Sequence, residues 1–512
     1  MPSDLTLVVH AAPLILLLAA ALMALDPGRR PARVGWLPQG ASLLAFLTVL
    51  AAAVARSILP VTGTTTLLSS DTIALTMSAL VGFIGWIVVR FATRYMDGEA
   101  REGRFHALLL ATLAAVFVLV QAGSLLVLTL ASVAVGLLVR QLLLFYPERV
   151  AARRAAAKFA LVWHAGDAAL LAAAGLMVVA GPGGDLPLTH PADGLGLAGG
   201  IATACLVLAA LLKTAAIPVH GWLTEVMEAP TPVSALLHAG IVNAGGLILI
   251  RSAEAVQASP AAMAALVLAG GLTALFGAVV MLTQSAIKTA LAWSTVGQMG
   301  FLMLQCGLGL WPLALLHIVA HSLYKSHAFL SSGGAVAEVE AARRPGPVAV
   351  PGIGAVLRSF AMALGLYLGI AAAFALAVGP KSPQALALGA MLVFGVAYLV
   401  AQGLADAAPR ALTRRTLGAS GGATVAYFTM QVLAQAAWAA HLPSPPTPGP
   451  LEWALIALAV ASFGVVALAQ ALFPLWAHHP AATGLRVHVA NGLYLNALFD
   501  RLIGGFRTAR NT

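Results

Sequence analysis

The chain has 512 residues, of which 60% are hydrophobic and only 9% charged, and its mean hydropathy is +0.94. This composition excludes an ordinary soluble domain and predicts an all-α, polytopic membrane helix bundle. The net charge of +10 does not require nucleic acid, because basic loops that meet anionic lipid account for it.

Apolar runs of about 20 residues, the length that spans a bilayer, recur along the whole chain. They predict about fifteen transmembrane helices. We expect these to begin near residues 5, 34, 72, 105, 124, 158, 195, 231, 260, 290, 310, 356, 383, 420 and 451.

The basic residues favour one side of the predicted bundle. Of the 28 Lys and Arg residues, twenty fall in the loops of one side, three in those of the other, and five in or near the membrane. By the positive-inside rule the basic side is cytoplasmic, so we expect the N-terminus outside and the C-terminus in the cytoplasm.

Charges and helix breakers cluster between two apolar runs, from Lys213 to His238. A lysine at the centre of a spanning helix costs about 2.5–3.5 kcal/mol and is normally given a partner. Pro218 then removes a backbone donor, so we predict a helix broken near Lys213–Pro218 that lines an ion pathway. The structural alternative is a lysine at a helix end that reaches the headgroups.

A second group of ionisable residues lies in the run that starts near residue 310. His317, His321 and Lys325 follow one another at intervals of four residues, which places them on one helix face about 12 Å long. Histidines titrate near neutral pH, so this face resembles a proton relay, although single buried histidines are often only core residues.

Asp167 is an acid in an apolar helix and needs a cationic partner. His164 precedes it by one turn. Lys288 begins its own segment, so it is either interfacial or functional. Cys205 and Cys306 lie inside apolar runs and indicate neither a disulfide framework nor a metal site.

The last predicted element is the tail from Gly484 to Phe506, where Leu493, Leu498 and Ile503 alternate with polar residues. It is either a helix lying on the cytoplasmic membrane surface or a contact for a partner.

Three stretches of this chain resemble one family closely: KTAAIPVHGWLTEVMEAPTPVSALLHAGIVNAGGLILIR (213–251), AIKTALAWSTVGQMGF (286–301) and HIVAHSLYKSHAFLSSG (317–333). They are similar to the proton-translocating antiporter-like subunits of respiratory complex I and of multisubunit sodium/proton antiporters. The resemblance covers about residues 100–335. It implies a bundle with a broken seventh helix and an ion path through Lys213, His238, Lys288, His317, His321 and Lys325, with Asp167 matching a family acid and His164 standing in place of an arginine.

The chain also departs from that family. The family usually carries a Trp-Glu pair in the fifth helix, whose carboxylate partners the lysine of the seventh; here Ser132 and Val133 stand in its place. The helix predicted near residue 356 has neither lysine nor glutamate at its centre, so the family's exit route does not transfer.

Two further phrases, LLLFYPERVAARRAAAKF (142–159) and RVHVANGLYLNALFDRL (486–502), resemble the DabB branch, the membrane subunits of a two-protein inorganic-carbon uptake system of bacteria. This resemblance implies a large cytoplasmic partner, DabA-like and similar to a β-type carbonic anhydrase, that holds zinc. The present chain offers no Cys/His/Asp cluster at ligand spacing, so we expect no cofactor or metal in it.

We therefore expect an ion-conducting subunit of the bacterial inner membrane that does no covalent chemistry. Residues 1–100 would form N-terminal transmembrane helices, 101–335 the ion-translocating core, 336–480 C-terminal transmembrane helices and 481–512 a cytoplasmic amphipathic tail. The alternatives are a subunit of a respiratory or multisubunit cation/proton antiporter complex, and a membrane scaffold that only anchors an enzyme. The sequence leaves H⁺ and Na⁺ both open as the coupling ion.

Overall fold

A computed structural model describes residues 6–58, 67–180, 196–334, 352–403 and 410–503 of the chain. Within these ranges the protein is helical, with no β-strand beyond one isolated bridge between Leu68 and Ala122. Ten of the described helices are long and apolar enough to cross a membrane, which makes this a multi-pass membrane protein.

The α-helices are numbered in chain order. The first seven are α1 (Ala11–Ala24), α2 (Leu37–Ile58), α3 (Thr72–Tyr95), α4 (Glu102–Val120), α5 (Leu125–Leu143), α6 (Val150–Ala180) and α7 (Gly196–Lys213). The central ones are α8 (Gly221–Thr224), α9 (Thr231–Ala239), α10 (Ala244–Arg251), α11 (Ala253–Gln257), α12 (Pro260–Met281), α13 (Ile287–Gly307) and α14 (Trp311–Ser331). The last are α15 (Ile353–Val378), α16 (Pro383–Gly403), α17 (Arg410–Trp438), α18 (Pro450–Trp476), α19 (Pro480–Ala490) and α20 (Leu495–Leu502).

Short 3₁₀ turns precede α1 (Thr6–His10) and connect later helices (Val226–Glu228, Ile241–Asn243, Ala439–His441 and Gly492–Tyr494). The helix starts expected from the sequence agree with this order. The first helix, expected near residue 5, begins at Ala11 after the 3₁₀ turn Thr6–His10, and the helices expected near residues 158 and 420 begin earlier, at Val150 and Arg410. The others begin within three residues of the expected position. The number of fifteen spans stays a prediction.

Local sequence explains where several helices begin. Asp71 and Ser124 precede α3 and α5, and their side chains accept hydrogen bonds from the amides of Ala74 and Val127. These side chains satisfy amide groups that have no partner inside the helix. Proline opens α12, where its missing N–H costs nothing.

Helices α12 and α13 approach each other through glycines. A Cβ atom added at Gly277 would lie 2.5 Å from the amide nitrogen of Gly297, and one added at Gly300 would lie 2.3 Å from that of Ala274. Only glycine permits this distance between backbones. The pair forms a rigid wall beside the broken region.

One buried apolar cluster extends from Val9 to Phe329, so the helices up to α14 share a continuous core. A second cluster joins residues of α12, α13 and α14 to α16, α17 and α18. The polar residues described below lie inside the first cluster or at its border with the second.

Candidate functional site

The chain breaks its helical path directly after Lys213. Ala215 has a left-handed backbone, with φ of 54°, and Pro218 has no amide hydrogen to donate. The indole of Trp222 donates to the carbonyl of Leu212 at 3.1 Å, and the amide of Ile217 donates to Thr273 Oγ1 at 3.2 Å. Side chains therefore satisfy the backbone groups that the break releases, as the interior of a membrane requires.

Lys213 is fully buried at this break and forms an ion pair. Its Nζ lies 2.6 Å from Asp167 Oδ1, donates to the carbonyl of Trp163 at 3.2 Å, and sits 4.0 Å from the centre of the Trp163 ring. The cationic partner that the sequence demanded for Asp167 is thus Lys213. We call Lys213, Asp167, His164 and Ser132 the inner centre.

Asp167 is held by two further groups of the inner centre. Ser132 Oγ donates to Oδ1 at 2.6 Å, and His164 Nδ1 lies 2.8 Å from Oδ2. The carboxylate beside Lys213 therefore comes from α6, and α5 contributes a hydroxyl that binds it.

The fit between α5 and α6 at this level depends on Gly136. A Cβ atom there would lie 2.4 Å from Trp163 Cδ1 and 3.0 Å from His164 Cε1. The Trp163 indole donates to the carbonyl of Ser132 at 3.0 Å. These contacts fix the ring beneath Lys213 and hold the inner centre in one geometry.

A second group combines one residue of α9 with three of α14. His321 Nε2 lies 3.1 Å from the carbonyl oxygen of His238, and the rings of His317 and His321 are 5.9 Å apart between centroids. Lys325 donates to the carbonyl of Leu291 at 3.1 Å. We call His238, His317, His321 and Lys325 the histidine group.

The histidine group lies where a second helix is interrupted. Between α9 and α10 the chain leaves the α-helix at Gly240, and Asn243 donates to Ser322 Oγ of α14 at 3.0 Å. His238 is buried, its ring is stacked on Phe329 at 4.4 Å, and neither ring nitrogen has a hydrogen-bond partner among the described residues.

The start of α10 packs closely against the end of α7. A Cβ atom at Gly245, in α10, would lie 2.3 Å from the carbonyl oxygen of Ala210 and 2.7 Å from Thr214 Cγ2. The helix that follows the second interruption therefore contacts the chain at the break after Lys213.

A cavity of about 550 Å³ adjoins the histidine group. It lies among α12, α13, α14, α16, α17 and α18, and most of its lining is apolar. Its polar lining includes His317, His321, Gln298, Gln305 and Gln470. This volume is large enough for water or a small hydrophobic molecule beside the two histidines.

Lys288 is placed apart from both groups. Its Nζ donates to Thr231 Oγ1, at the start of α9, at 2.9 Å. Of the residues predicted for the site, the structure thus brings Lys213 together with Asp167, and His238 with His317, His321 and Lys325. It leaves Lys288, in α13, bound to the start of α9.

Sequence reasoning missed a second ionic set, which we call the outer cluster: Arg154, Lys158, Glu225, Asn496 and Asp500. Lys158 is fully buried, and its Nζ lies 2.5 Å from Glu225 Oε1 and 2.6 Å from Asp500 Oδ1. Arg154 is about half exposed at the edge of the set. The sequence shows a lysine in α6 but does not show that it is buried, so it gave no signal for this cluster.

No group of three or more His, Cys, Asp or Glu side chains in the described ranges is arranged to hold a metal ion. We therefore assign no metal ligands to this part of the chain.

Comparison with known proteins identifies the family. Residues 122–344 match the family described as NADH:quinone oxidoreductase/Mrp antiporter transmembrane region, and residues 64–106 match the N-terminus of chain 5 of complex I. The "Probable inorganic carbon transporter subunit DabB2" of Halothiobacillus neapolitanus is 38% identical over 453 residues, which cover 84% of this chain and 78% of that protein.

This chain belongs to the DabB-like branch of the antiporter-type membrane subunits.

A "Probable inorganic carbon transporter subunit DabB" of Hydrogenovibrio crunogenus is 40% identical over 304 residues, which cover 57% of this chain and 58% of that protein. The fold matches a chain of the Mrp complex from Dietzia sp. DQ12-45-1b with a TM-score of 0.65. That match has 24% identity and covers 97% of this chain but 59% of the other. The relatives are transporter or antiporter-type membrane subunits, which agrees with a subunit that translocates ions across the membrane.

Proposed function

We propose that this chain is the membrane subunit of an inorganic-carbon uptake complex. It conducts H⁺ or Na⁺ down its gradient and thereby drives a large cytoplasmic partner that resembles a β-type carbonic anhydrase, holds zinc and hydrates carbon dioxide. The chain itself carries out no covalent chemistry. The names of its relatives in two bacteria support the substrate class.

One observation carries the proposal: a fully buried lysine is paired with a carboxylate at the point where α7 breaks. Isolated buried charges are costly, so chains place them inside a membrane where an ion must pass. The pair has two states. When a cation or proton reaches Asp167, its attraction for the Lys213 amine is weakened, and the amine is free to move toward the break.

The histidine group continues the path. A neutral histidine accepts a proton at one ring nitrogen and releases one from the other, so His238, His321 and His317 can pass protons in sequence. The rings of His317 and His321 are too far apart for a direct hydrogen bond, and the ring nitrogens of His238 have no partner among the described residues, so both transfers need a bridging water. The adjoining cavity provides space for one.

The basic surface is cytoplasmic in this proposal, with the N-terminus outside and the C-terminus inside the bacterial inner membrane. The outer cluster and the tail helices α19 and α20 then lie at the cytoplasmic end of the broken region. This is the side on which a soluble partner would bind.

Reconstitution tests the proposal. The purified chain with its partner is placed in liposomes, and H⁺ and Na⁺ uptake are measured under an imposed gradient. We expect Lys213→Ala to abolish the flux and the coupled hydration of carbon dioxide while insertion and partner binding persist. Lys381→Ala, which removes a lysine from the connection between α15 and α16, is the matched control. Full flux in Lys213→Ala would refute the path and favour a scaffold.

A second candidate is a subunit of a respiratory or multisubunit antiporter complex. The family match and the fold of the Mrp complex favour it. Purification of the chain from its native membrane separates the two, since the first predicts one large soluble zinc protein and the second a set of small membrane proteins.

A further inference from the structure

The tail of the protein reaches back across the chain to the broken region. Asn496 and Asp500 of α20 contact Lys158 of α6 at 2.9 Å and 2.6 Å, and Asn496 Nδ2 donates to Glu225 Oε1 at 2.6 Å. Arg154 completes the outer cluster by pairing with both Glu225 and Asp500. Two cations and two anions therefore balance, and one of the cations is fully buried.

The tail packs closely against the residues that it contacts. A Cβ atom added at Gly221 would lie 1.8 Å from Asn496 Oδ1, so Asn496 occupies the space that any other residue would fill. Gln284 donates to the carbonyl of Ala490 at 3.1 Å, and Gly492 packs against the ring of Trp293. The tail thus touches the start of α8, the connection between α12 and α13, and α13 itself.

The helix α20 presents its polar side inward. Asn496 and Asp500 point into the bundle, whereas Leu498 and Leu502 are exposed. Phe499 of α20 is partly buried and packs against the main apolar cluster. The polar contacts of the outer cluster add to this attachment. Polar contacts that exchange with water are weak in net free energy, so α20 is held less firmly than a helix with a fully buried apolar face.

Three aromatic rings pack together next to the outer cluster and the inner centre. The rings of Phe159, Trp163 and Trp222 lie 5.3, 5.4 and 6.2 Å from one another. Trp163 lies beneath Lys213, and Trp222 follows Gly221, on which Asn496 rests. A displacement of α20 would therefore release the backbone that carries one of the three rings.

We propose that α20 is a latch: Asn496 and Asp500 hold Lys158, Glu225 and Gly221 in place next to the three aromatic rings, and ions pass the inner centre only when these contacts open. The inference rests on the proposed function for its ion flux, but the position and release of the latch are measurable without flux.

The first experiment locks the latch. In a chain with Cys205 and Cys306 replaced by alanine, cysteines are introduced at Gly221 and Asn496, where the Cβ position of residue 221 is 2.6 Å from Asn496 Cγ. We expect a disulfide on mild oxidation, since its sulfurs need this proximity. Oxidised protein in liposomes should conduct no more than Lys213→Ala, and reductant should restore the flux. The pair of Gly221→Cys with Ala497→Cys, on the exposed side of α20, should remain uncrosslinked.

The second experiment weakens the contacts of the latch, and its measurement does not require ion flux. In the same cysteine-free background, Thr214→Cys places a buried thiol beside Lys213, and its labelling by a water-soluble maleimide is timed. Asp500→Asn removes a charge-assisted contact to Lys158, so we expect labelling to accelerate about tenfold. Arg501→Gln, a charge change on the exposed side of the same helix, should label at the unaltered rate.

The outcomes separate the two proposals. Absence of the disulfide, unchanged flux in the oxidised protein, or equal labelling in Asp500→Asn and Arg501→Gln would each overturn the latch. If the unaltered complex conducts neither ion, the proposed function fails, and the labelling rates still decide whether α20 closes the inner centre.

Discussion

The inner centre predicts a specific pattern of stability when its two charges are removed singly or together. Asp167→Asn leaves Lys213 as a cation that is fully buried and has lost its carboxylate at 2.6 Å. Removing one partner of a buried pair costs about 3–5 kcal/mol, because the remaining charge is not compensated. We expect Asp167→Asn to lose that amount of unfolding free energy, and Lys213→Met a similar amount.

The double change Asp167→Leu with Lys213→Met should behave differently. It removes both charges and fills the space with apolar atoms, and such replacements range from neutral to more stable by about 1–4 kcal/mol. The double variant should therefore recover most of the stability lost by either single variant, while its ion flux stays at the level of the single variants.

Unfolding in mixed micelles, followed by tryptophan fluorescence, measures the first quantity, and flux in liposomes measures the second. The coupling between the two sites follows from a double-mutant cycle of the unaltered chain, Asp167→Leu, Lys213→Met and the double variant. If each single variant were as stable as the unaltered chain, the pair would not exist. If the double variant were both stable and conducting, the pair would exist but would not lie on the path.

The double variant His317→Ala/His321→Ala should insert and bind its partner but lose flux, measured in liposomes against the unaltered chain, because the relay on α14 is removed. Gly300→Ala should lower the yield of folded protein, because overpacking between α12 and α13 costs about 1–3 kcal/mol. Gly271→Ala, where a Cβ atom meets nothing within 4 Å, should fold normally. Size-exclusion chromatography measures the yield of monodisperse protein for both variants. Burial disfavours the ionised form of Asp71, but the Arg251 guanidinium and the Ala74 amide outweigh this effect and hold the pKa of Asp71 below its ordinary 3.8. The stability that Asp71 contributes is therefore present above that value and is lost as pH falls below it, so thermal unfolding of Asp71→Asn in detergent should depend less on pH between about 5 and 3 than that of the unaltered chain.

The sequence was sufficient for the positions of the helices because bilayer-length apolar runs are a strong and local signal. The break after Lys213 was also predictable, since a lysine and a proline so close together in an apolar run leave few other structures. The pairing of Lys213 with Asp167 could be predicted only in part. The sequence indicates that Asp167 needs a cationic partner, but nothing local to α6 or α7 specifies which cation it meets.

The role of Ser132 and the outer cluster could not be predicted, for a different physical reason. The Ser132 hydroxyl reaches Asp167 only when α5 packs against α6, and this packing depends on the space left by Gly136. Asn496 is 338 residues from Lys158 in the chain, and its contact requires the whole bundle to be folded first. Contacts of this kind depend on tertiary packing, and hydropathy patterns do not predict them.

The placement of the acid on α6 has a consequence for how the centre moves. Lys158 and Asp167 belong to the same helix and are nine residues apart, so the helix holds them about 13 Å apart along its axis. Their partners, Lys213 and Glu225, lie on opposite sides of the break, on chain that is not one continuous helix. Helix α6 is therefore a fixed frame that carries one charge of each pair. Any change in the distance between the pairs must come from the broken segment, and Asn496 contacts Glu225 and Gly221 at the outer end of that segment.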